Sequence, residues 1–335
     1  MKLPGIDEKV AFLSRPEVYP GRVQHVEIKQ THMSWVFLTD THAWKLKRPV
    51  QTDFVDFSTP EARRRNCLRE VRLNRRLAPD VYFGVVPLTI GKSGELQLAS
   101  PGKAADWLVS MRRLPLDRML DALIACHAVT EADLATLAST LVAFFKNAQP
   151  VSLTGAAYRK QLTEDLRSAQ VELAGIDLGL NRDLVNSIIG SQLEFLRTSP
   201  AVFDSRIATR KVVEAHGDLR PEHICLEPEP VVIDCLEFNR NLRILDVASE
   251  LMFLALECER LDAGEVGEFI LRGYCEQSGD HPPVELLAFY KAYHACIRAR
   301  IAIWHLKDED VRSQNKWIDR ANRYLHIVTG FSKAA

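Results

Sequence analysis

Short alternating segments dominate the first 110 residues. Their β-branched, aromatic or alternating side chains are typical of strands, and they lie at Val23–Lys29, Ser34–Leu38, Ala43–Lys47, Gly84–Ile90, Leu96–Ala99 and Trp107–Met111. One helix is predicted among them, because Ser58-Thr59-Pro60-Glu61 offers a cap hydroxyl and an early proline, and helical spacing continues to Leu77. The pattern therefore predicts a small sheet with one helix.

Helical spacing prevails after Pro115. The predicted helices lie at Asp117–Ala128, Glu131–Ala148, Gly155–Leu173, Arg182–Arg197, Val247–Leu261, Gly264–Ser278, Pro283–Trp304 and Asp308–Val328. Three short apolar segments interrupt this part, at Val212–Ala215, Ile224–Leu226 and Val231–Asp234, and polar loops join them. A larger helical lobe with a short embedded hairpin is the expected result.

Composition narrows the class of protein. The chain has 335 residues, which exceeds the roughly 250–300 residues that one hydrophobic core usually serves, so two lobes are expected. Lys and Arg number 43 against 44 Asp and Glu, and this balance argues against a protein dominated by nucleic-acid or anionic-membrane binding. Seven cysteines without a C-x-x-C pair indicate reduced thiols. With no targeting segment or uncharged apolar span, the expected location is the cytoplasm.

The most informative segment is AHGDLRPEHICLEPEPVVIDCLEFN, residues 215–239. Asp218 follows a glycine that is free to adopt unusual backbone angles, and Asp234 follows the apolar run VVI. If the short strands pair as a hairpin, the two aspartates approach each other at one end of it. Paired carboxylates suit divalent-metal coordination or general-base catalysis. The alternative is that both are turn residues of a surface hairpin.

The pattern H-G-D-x-x-x-x-[N/H]-I followed by V-I-D resembles the aminoglycoside phosphotransferase and choline kinase branch of the protein-kinase-like fold. It resembles in particular a bacterial group of which some members are fused to a P-loop domain. The resemblance covers nearly the whole chain, since THMSWVFL, AWKLKRPV, DFVDFST, EVRLNRRLAPDVYFGVVPL, MRRLP, HGDLRPEHICL and IDCLEFN follow in the order of that group.

This resemblance implies an α+β fold with two lobes and ATP·Mg between them. Residues 1–111 would form a small antiparallel-sheet lobe with one helix, and residues 112–335 a larger, mostly helical lobe. Asp218 would be the base that orients the acceptor hydroxyl, and Asp234 would hold Mg²⁺ on the nucleotide phosphates. His223 stands where the family usually has a metal-binding asparagine.

The resemblance also assigns residues to the nucleotide. Lys45 would contact the α- and β-phosphates from the third strand, and Glu70 in the helix would pair with it. Met111, Arg112 and Leu114 would belong to the linker between the lobes, whose backbone meets the nucleotide base.

The residue pattern alone does not decide which of two lysines would contact the nucleotide phosphates. Lys45 and Lys47 lie two apart on a strand and so share one face, where a lysine is a suitable point charge for phosphate. We prefer Lys45 because it follows the apolar pair Ala43-Trp44, and Lys47 is the reserve. A solvated edge strand is the alternative for both lysines, and pairing with nearby arginines on the helix is the alternative for Glu70.

Histidine is a softer metal ligand than the expected asparagine and suits Zn²⁺ or Mn²⁺ better than Mg²⁺. Either the second metal position is weakened, or His223 contacts phosphate, or catalysis is lost, and a structural hydrogen-bonded histidine is a further alternative. His216 is expected to brace its loop, and Asp246 to cap a helix and brace the same loop. Glu237 is expected to be a solvated loop acid, with metal or substrate contact as the alternative.

The sequence therefore predicts a phosphotransferase that uses ATP or GTP with Mg²⁺ or Mn²⁺ and phosphorylates a hydroxyl group of a small molecule. Its expected partners are the nucleotide and that acceptor, without nucleic acid or membrane. The first alternative is a catalytically degenerate, nucleotide-binding regulatory or scaffold protein of the same fold. A weaker one is metal-dependent hydrolysis by His216, Asp218, His223 and Asp234.

Overall fold

The structure is a computed structural model that describes residues 3–51, 55–175, 179–307 and 314–329. It divides into two compact units. The first unit comprises the described residues up to Met119 together with Val231–Leu242. The second comprises Leu120–Pro230 and the described residues from Arg243 onward. The segment that carries Asp234 thus belongs with the amino-terminal residues, although it lies far along the chain.

An antiparallel sheet forms the body of the first unit. Its strands are β1 (Glu27–Gln30), β2 (Ser34–Leu38), β3 (His42–Lys47), β4 (Tyr82–Ile90), β5 (Leu96–Leu98) and β6 (Lys103–Arg112). They are ordered β1-β2-β3-β6-β4-β5, so the third strand lies at the centre beside β6. A further short strand of this unit, β9, spans Val231–Val232.

One face of the sheet is apolar. Trp44 and Leu46 alternate with the two lysines of β3, and they pack with Phe37, Leu88 and Leu108 into a buried core. The helix α1 (Ile6–Leu13) contributes Leu13 to the same core. Because side chains of a strand alternate between faces, this packing directs Lys45 and Lys47 to the opposite face.

That opposite face is covered by helix α2 (Pro60–Asn74). Thr59 caps the helix, since its hydroxyl accepts a hydrogen bond from the Ala62 amide at 3.1 Å. A bidentate ion pair fixes the helix on the sheet, with Arg63 Nε and Nη2 at 2.8 and 2.7 Å from the two carboxylate oxygens of the buried Asp106 on β6. The position of Glu70 above the sheet follows from this attachment.

Helices form most of the second unit. They are α3 (Leu120–Ala125), α4 (Glu131–Asn147), α5 (Gly155–Gly175), α6 (Arg182–Thr198), α7 (Pro200–Ala208), α8 (Val247–Arg260), α9 (Gly264–Ser278), α10 (Val284–Trp304) and α11 (Gln314–Ile327). Three short strands accompany them, β7 (Val212–Glu214), β8 (Ile224–Cys225) and β10 (Ile244–Asp246), of which β7 and β10 pair antiparallel.

The almost wholly buried α8 organises this unit. Asp246 caps it, as predicted, by accepting a hydrogen bond from the Ala248 amide at 2.9 Å. The same carboxylate also receives Arg206 Nε and Nη2 at 2.8 and 2.7 Å and the Tyr290 hydroxyl at 3.0 Å. One aspartate therefore joins helices α7, α8 and α10.

Several predicted boundaries differ from the structure. The first strand begins at Glu27 rather than Val23, α2 ends at Asn74 rather than Leu77, and the last predicted helix is described only over Gln314–Ile327, because residues 308–313 lie outside the described part. Helices α1 and α7 were not predicted. Both are short, at 8 and 9 residues, and offer little helical period to recognise.

Among the described residues, no helix combines the length and apolar character that crossing a membrane requires. The cysteines are free thiols, and five of the seven are buried. Burial raises the pKa of Cys67 to about 12, which keeps this thiol protonated and unreactive near neutral pH.

A buried histidine of the second unit makes the stability depend on pH. Burial lowers the pKa of His294 from 6.5 to about 3, and the nearby Arg298 adds to this effect, while the hydrogen bond with Ser249 and the charge of Glu257 oppose it. Between these two values the unfolded chain binds a proton that the folded protein does not, so stability falls as the pH falls. From pH 6.5 to 5 this amounts to roughly 2 kcal/mol.

We therefore expect His294→Gln, which does not titrate, to lose less melting temperature between pH 7 and pH 5 than the unsubstituted protein. Differential scanning calorimetry at several pH values measures this difference. Parallel losses in the two proteins would show that His294 is not the titrating group.

Candidate active site

Five charged side chains of the first unit form one connected group, which we call the lysine–carboxylate cluster. Its members are Lys45 and Lys47 on β3, Glu70 on α2, and Asp234 and Glu237 from the segment after β9. Two lysines and three carboxylates give the cluster a formal net charge of −1. Residues that lie up to 190 positions apart in the chain are therefore neighbours.

Glu70 bridges the two lysines. Its Oε1 lies 2.9 Å from Lys45 Nζ, and its Oε2 lies 2.5 Å from Lys47 Nζ. The Glu70 side chain is fully buried, so it has no water to stabilise its charge. Burial alone would raise the pKa of Glu70, but Lys45 and Lys47 outweigh burial and lower it. The carboxylate is therefore ionised and shared between two cations.

Lys45 has a second carboxylate partner. Its Nζ lies 2.6 Å from Asp234 Oδ1, and its side chain is 14% exposed, whereas that of Lys47 is 1% exposed. Burial alone would lower the pKa of Lys45, but Asp234, Glu70 and Glu237 together raise it well above the usual value. Lys45 is thus a fixed positive charge with access to solvent.

Lys47 is directed inward to Glu237, whose Oε1 lies 2.7 Å from Lys47 Nζ. Burial by itself would lower the pKa of Lys47, but Glu237 and Glu70 raise it above the usual value. Glu237 is therefore not the solvated loop acid that we expected, since only 9% of its side chain is exposed. The prediction failed because its partner is a lysine from a distant strand.

The backbone at Asp234 is unusual. Its φ is +62°, in the left-handed region that few non-glycine residues occupy. The Tyr82 hydroxyl accepts a hydrogen bond from the Asp234 amide at 3.2 Å, and the Asn74 side-chain oxygen accepts one from the Cys235 amide at 2.9 Å. These contacts hold the segment in a conformation that presents the Asp234 carboxylate, 44% exposed, beside Lys45.

The His-Gly-Asp loop lies in the second unit, after β7. Gly217 has a φ of +87°, in agreement with the conformational role predicted for it. The Glu250 carboxylate on α8 accepts hydrogen bonds from the amides of His216, at 2.9 Å, and Gly217. His216 Nδ1 accepts one from the Asp218 amide at 3.3 Å, so this histidine braces the loop as predicted. The loop amides are thus bound by Glu250 rather than by Asp246.

His223 uses both ring nitrogens within the same loop. Nδ1 lies 2.9 Å from the Asp218 carbonyl oxygen, and Nε2 lies 2.9 Å from the Arg220 guanidinium. A carbonyl only accepts and a guanidinium only donates, so Nδ1 carries the proton and Nε2 accepts. In this arrangement no ring nitrogen is directed to a metal ion. The metal-binding role of His223 stays a prediction, and it requires Arg220 to leave Nε2.

Arg220 also contacts the Asp218 side chain. Its Nε lies 3.0 Å from Asp218 Oδ1, and the aspartate side chain is 19% exposed. The carboxylate predicted to be the base therefore has a cationic neighbour from its own loop. Neither the sequence spacing nor the resemblance had singled out Arg220.

The predicted linker residues fall at the end of the sheet. Met111 and Arg112 still belong to β6, where Met111 is paired with Ala43 on one side and Tyr82 on the other. The strand pairing continues as the Arg113 amide donates to the Thr41 carbonyl at 2.9 Å. Leu114 lies two residues after the end of β6 and is partly buried. The role of these residues in binding a nucleotide base stays a prediction.

The donor groups fit a magnesium–nucleotide complex better than a metal held by the protein alone. Among the described residues, no group of three His, Cys, Asp or Glu side chains is arranged to hold a metal ion. Mg²⁺ commonly binds through one or two carboxylates together with substrate phosphates. The exposed Asp234 carboxylate supplies such an oxygen, and Lys45 lies beside it to meet phosphate charge.

The chain is similar to several known proteins in sequence and to several solved structures in fold. No protein-family model matches the chain. Uncharacterised proteins of Mycobacterium tuberculosis and Mycobacterium bovis are 32% identical to it over 314 residues, which is 90% of this chain and 58% of theirs. The chain thus spans less than two thirds of the length of these curated relatives.

Solved structures match almost the whole chain. A choline/ethanolamine kinase family protein from Mesorhizobium loti aligns over 97% of both chains, with a TM-score of 0.57 and 14% identity. The GDP complex of aminoglycoside 2'-phosphotransferase-IIIa aligns over 97% of this chain and 99% of its own, with a TM-score of 0.52 and 12% identity. The chain has an aminoglycoside phosphotransferase-like, protein-kinase-like fold. The predicted α+β class, with a small sheet lobe and a larger helical lobe, is confirmed.

A third structure of this phosphotransferase-like fold is the AMP-bound spectinomycin phosphotransferase. It aligns over 96% of this chain and 97% of its own, with a TM-score of 0.51 and 11% identity. Identities this low establish the fold, whereas the chemistry of this chain has to be argued from its own residues.

The burial of Glu70 generates a stability prediction. Glu70→Gln leaves Lys45 and Lys47 one carboxylate short inside the protein, and breaking a buried ion pair in this way typically costs about 3–5 kcal/mol. We expect a loss of that order in the free energy of unfolding, measured by urea titration with tryptophan fluorescence. Glu27→Gln is the matched control, because its carboxylate is 39% exposed in a surface pair with Arg113. It should change stability by at most about 1 kcal/mol, and equal losses would refute the bridging role of Glu70.

Proposed function

We propose that the protein is a phosphotransferase that moves the γ-phosphate of ATP or GTP to a hydroxyl group of a small molecule. The observation that carries this proposal is the placement of Lys45 between the buried Glu70 and the exposed Asp234. A fixed ammonium beside an exposed carboxylate is suited to bind a phosphate chain and its metal ion together. The phosphotransferase-like fold supports the same reaction class.

In this proposal Lys45 binds the α- and β-phosphates. Its charge is held by Glu70, so it is not free to rotate away when no ligand is bound. Lys47 is 1% exposed and Lys45 is 14% exposed, and this difference supports Lys45 rather than Lys47 for the role. The backbone of Met111, Arg112 and Leu114 would meet the nucleotide base.

Asp234 would hold Mg²⁺ or Mn²⁺ through its carboxylate. A metal ion held there would supply positive charge that offsets the negative charge of the nucleotide phosphates. Nucleotide complexes among the structural neighbours, with GDP and with AMP, support a nucleotide as the ligand of this fold.

Asp218 would act on the acceptor. Its carboxylate accepts a hydrogen bond from the acceptor hydroxyl and takes the proton as the acceptor oxygen bonds to the γ-phosphorus, while the bond from that phosphorus to the β-phosphate oxygen breaks. The Glu250 carboxylate binds the amides before Asp218, and this fixes the direction of the loop. Most of the rate would come from positioning and electrostatics.

A screen of hydroxylated metabolites with ATP or GTP and Mg²⁺ or Mn²⁺, read as nucleoside diphosphate release and product mass, tests this function. Asp218→Asn should lower kcat by about 10²–10⁴-fold and leave nucleotide affinity nearly unchanged. Asp204→Asn is the control, since Asp204 is an acid of the same unit with a 54% exposed side chain.

Transfer that survives Asp218→Asn would contradict the assigned base. Nucleotide binding without transfer to any acceptor would instead support the alternative of a degenerate, nucleotide-binding regulatory protein. Absence of nucleotide binding by the unsubstituted protein would remove both.

A further inference from the structure

The proposed reaction assigns no role to Lys47 and Glu237 of the lysine–carboxylate cluster. Lys47 and Glu237 are 1% and 9% exposed, too buried to contact a substrate, and their atoms lie 2.7 Å apart. Taking two charges out of water is costly, and well-packed apolar residues are often no less stable at such a site. A buried pair of this kind is therefore better explained by what it positions than by net stability.

The Lys47–Glu237 pair joins two segments that lie far apart in the sequence. Lys47 lies on the central strand β3, while Glu237 lies three residues after Asp234 in a segment that reaches the first unit from far along the chain. Arg69 on α2 adds a longer contact, with Nη1 at 3.4 Å from the Glu237 carbonyl oxygen. The segment is thus attached to the sheet and to α2 on the carboxyl side of Asp234.

The backbone conformation of Asp234 requires stabilising contacts from the residues around it. Its left-handed φ of +62° is a conformation that persists only where surrounding contacts outweigh its cost. Its carboxylate oxygen Oδ1 lies 2.6 Å from Lys45 Nζ. Since Asp234 is 44% exposed, this one partly solvated ion pair is a weak restraint, whereas the buried pair at Glu237 is shielded from water and salt.

We propose that Lys47 and Glu237 are positioning residues, whose buried ion pair anchors the Asp234 segment on the sheet so that the Asp234 carboxylate is in place before nucleotide arrives. The catalytic consequence of this anchor rests on the proposed function, but the anchor itself does not. Glu70 couples the two halves, because each lysine takes one of its oxygens. Lys45 and Asp234 are therefore connected through Glu70 to a pair that does not contact the ligand in the proposed reaction.

Cys235 reports on the anchor directly. It lies between Asp234 and Glu237, is 1% exposed, and its Sγ is 3.3 Å from an Arg76 guanidinium nitrogen. Release of the segment would expose this thiol to an alkylating reagent, and local opening of this kind is measurable without any knowledge of the ligand. Cys67 on α2 is fully buried in the same unit and reports on opening of the helix from the sheet.

The decisive variant is Lys47→Met/Glu237→Gln. It removes one positive and one negative charge, so the cluster keeps its formal net charge, and both replacements are close in shape to the originals. The control is Lys29→Met/Glu27→Gln, which makes the same replacements in an exposed pair of the same unit, with side chains 48% and 39% exposed. Iodoacetamide labelling of each cysteine, followed by peptide mass spectrometry and normalised to the rate in denaturant, is the measurement.

We expect Cys235 labelling in the decisive variant to be faster by about tenfold or more, with Cys67 labelling changed by less than about twofold. The control variant should match the unsubstituted protein at both thiols. An unchanged Cys235 rate would overturn the proposal, and so would an equal acceleration at Cys67, because the latter indicates general destabilisation. If the double variant does not fold, Glu237→Gln alone, which retains an acceptor for Lys47, should give a smaller acceleration confined to Cys235.

A second measurement links the anchor to nucleotide. Mn²⁺ affinity, measured by electron paramagnetic resonance with a non-hydrolysable ATP analogue, should fall by about tenfold in the decisive variant. If the unsubstituted protein binds no Mn²⁺–nucleotide, the proposed function fails while the labelling result still decides the anchor. If nucleotide binds equally to both proteins while Cys235 becomes exposed, the anchor exists but does not position Asp234, and that part of the proposal is overturned.

Discussion

A buried carboxylate between two lysines constrains the whole first unit. Glu70 has no exposure to water, so its charge is tolerable only while both ammonium groups stay within hydrogen-bonding distance. This requirement fixes the face of β3, because only residues two apart can both reach it, and it fixes the depth of α2 on the sheet. The ion pair between Arg63 and Asp106 satisfies the same geometry from about two turns earlier in the helix.

Each aspartate of the proposed reaction lies at or directly after a residue with positive φ. Asp218 comes directly after a glycine with positive φ, and Asp234 itself has positive φ. In each case a buried glutamate holds the adjacent chain, Glu250 through the loop amides and Glu237 through Lys47. Positive φ costs little at Gly217 but is unfavourable at Asp234, and in both segments charged contacts lie beside the residue with positive φ.

The sequence predicted the parts of this architecture that depend on local pattern. Strand β2 and helix α9 have the predicted boundaries, and alternation in β3 correctly placed Lys45 and Lys47 on one face. The partner of Lys47 was missed because Glu237 lies 190 residues away, and no spacing rule connects them. Glu250 was missed for the same reason, since its role depends on how α8 meets a loop 34 residues earlier. Burial and partnership of charges are tertiary properties, whereas periodicity is local.

Three acids, one at the cap of helix α8 and two within it, bind different partners. Asp246 binds Arg206, Glu250 binds the His-Gly-Asp loop, and Glu257 binds Arg298 at 2.8 Å and Tyr324 at 2.7 Å. They lie four and eleven positions apart, which a helix of 3.6 residues per turn brings onto one side. Inserting or deleting a single residue would rotate the later acids by about 100° and detach them together. The spacing of these acids along α8 therefore sets the register in which the His-Gly-Asp loop and the helices α10 and α11 contact it.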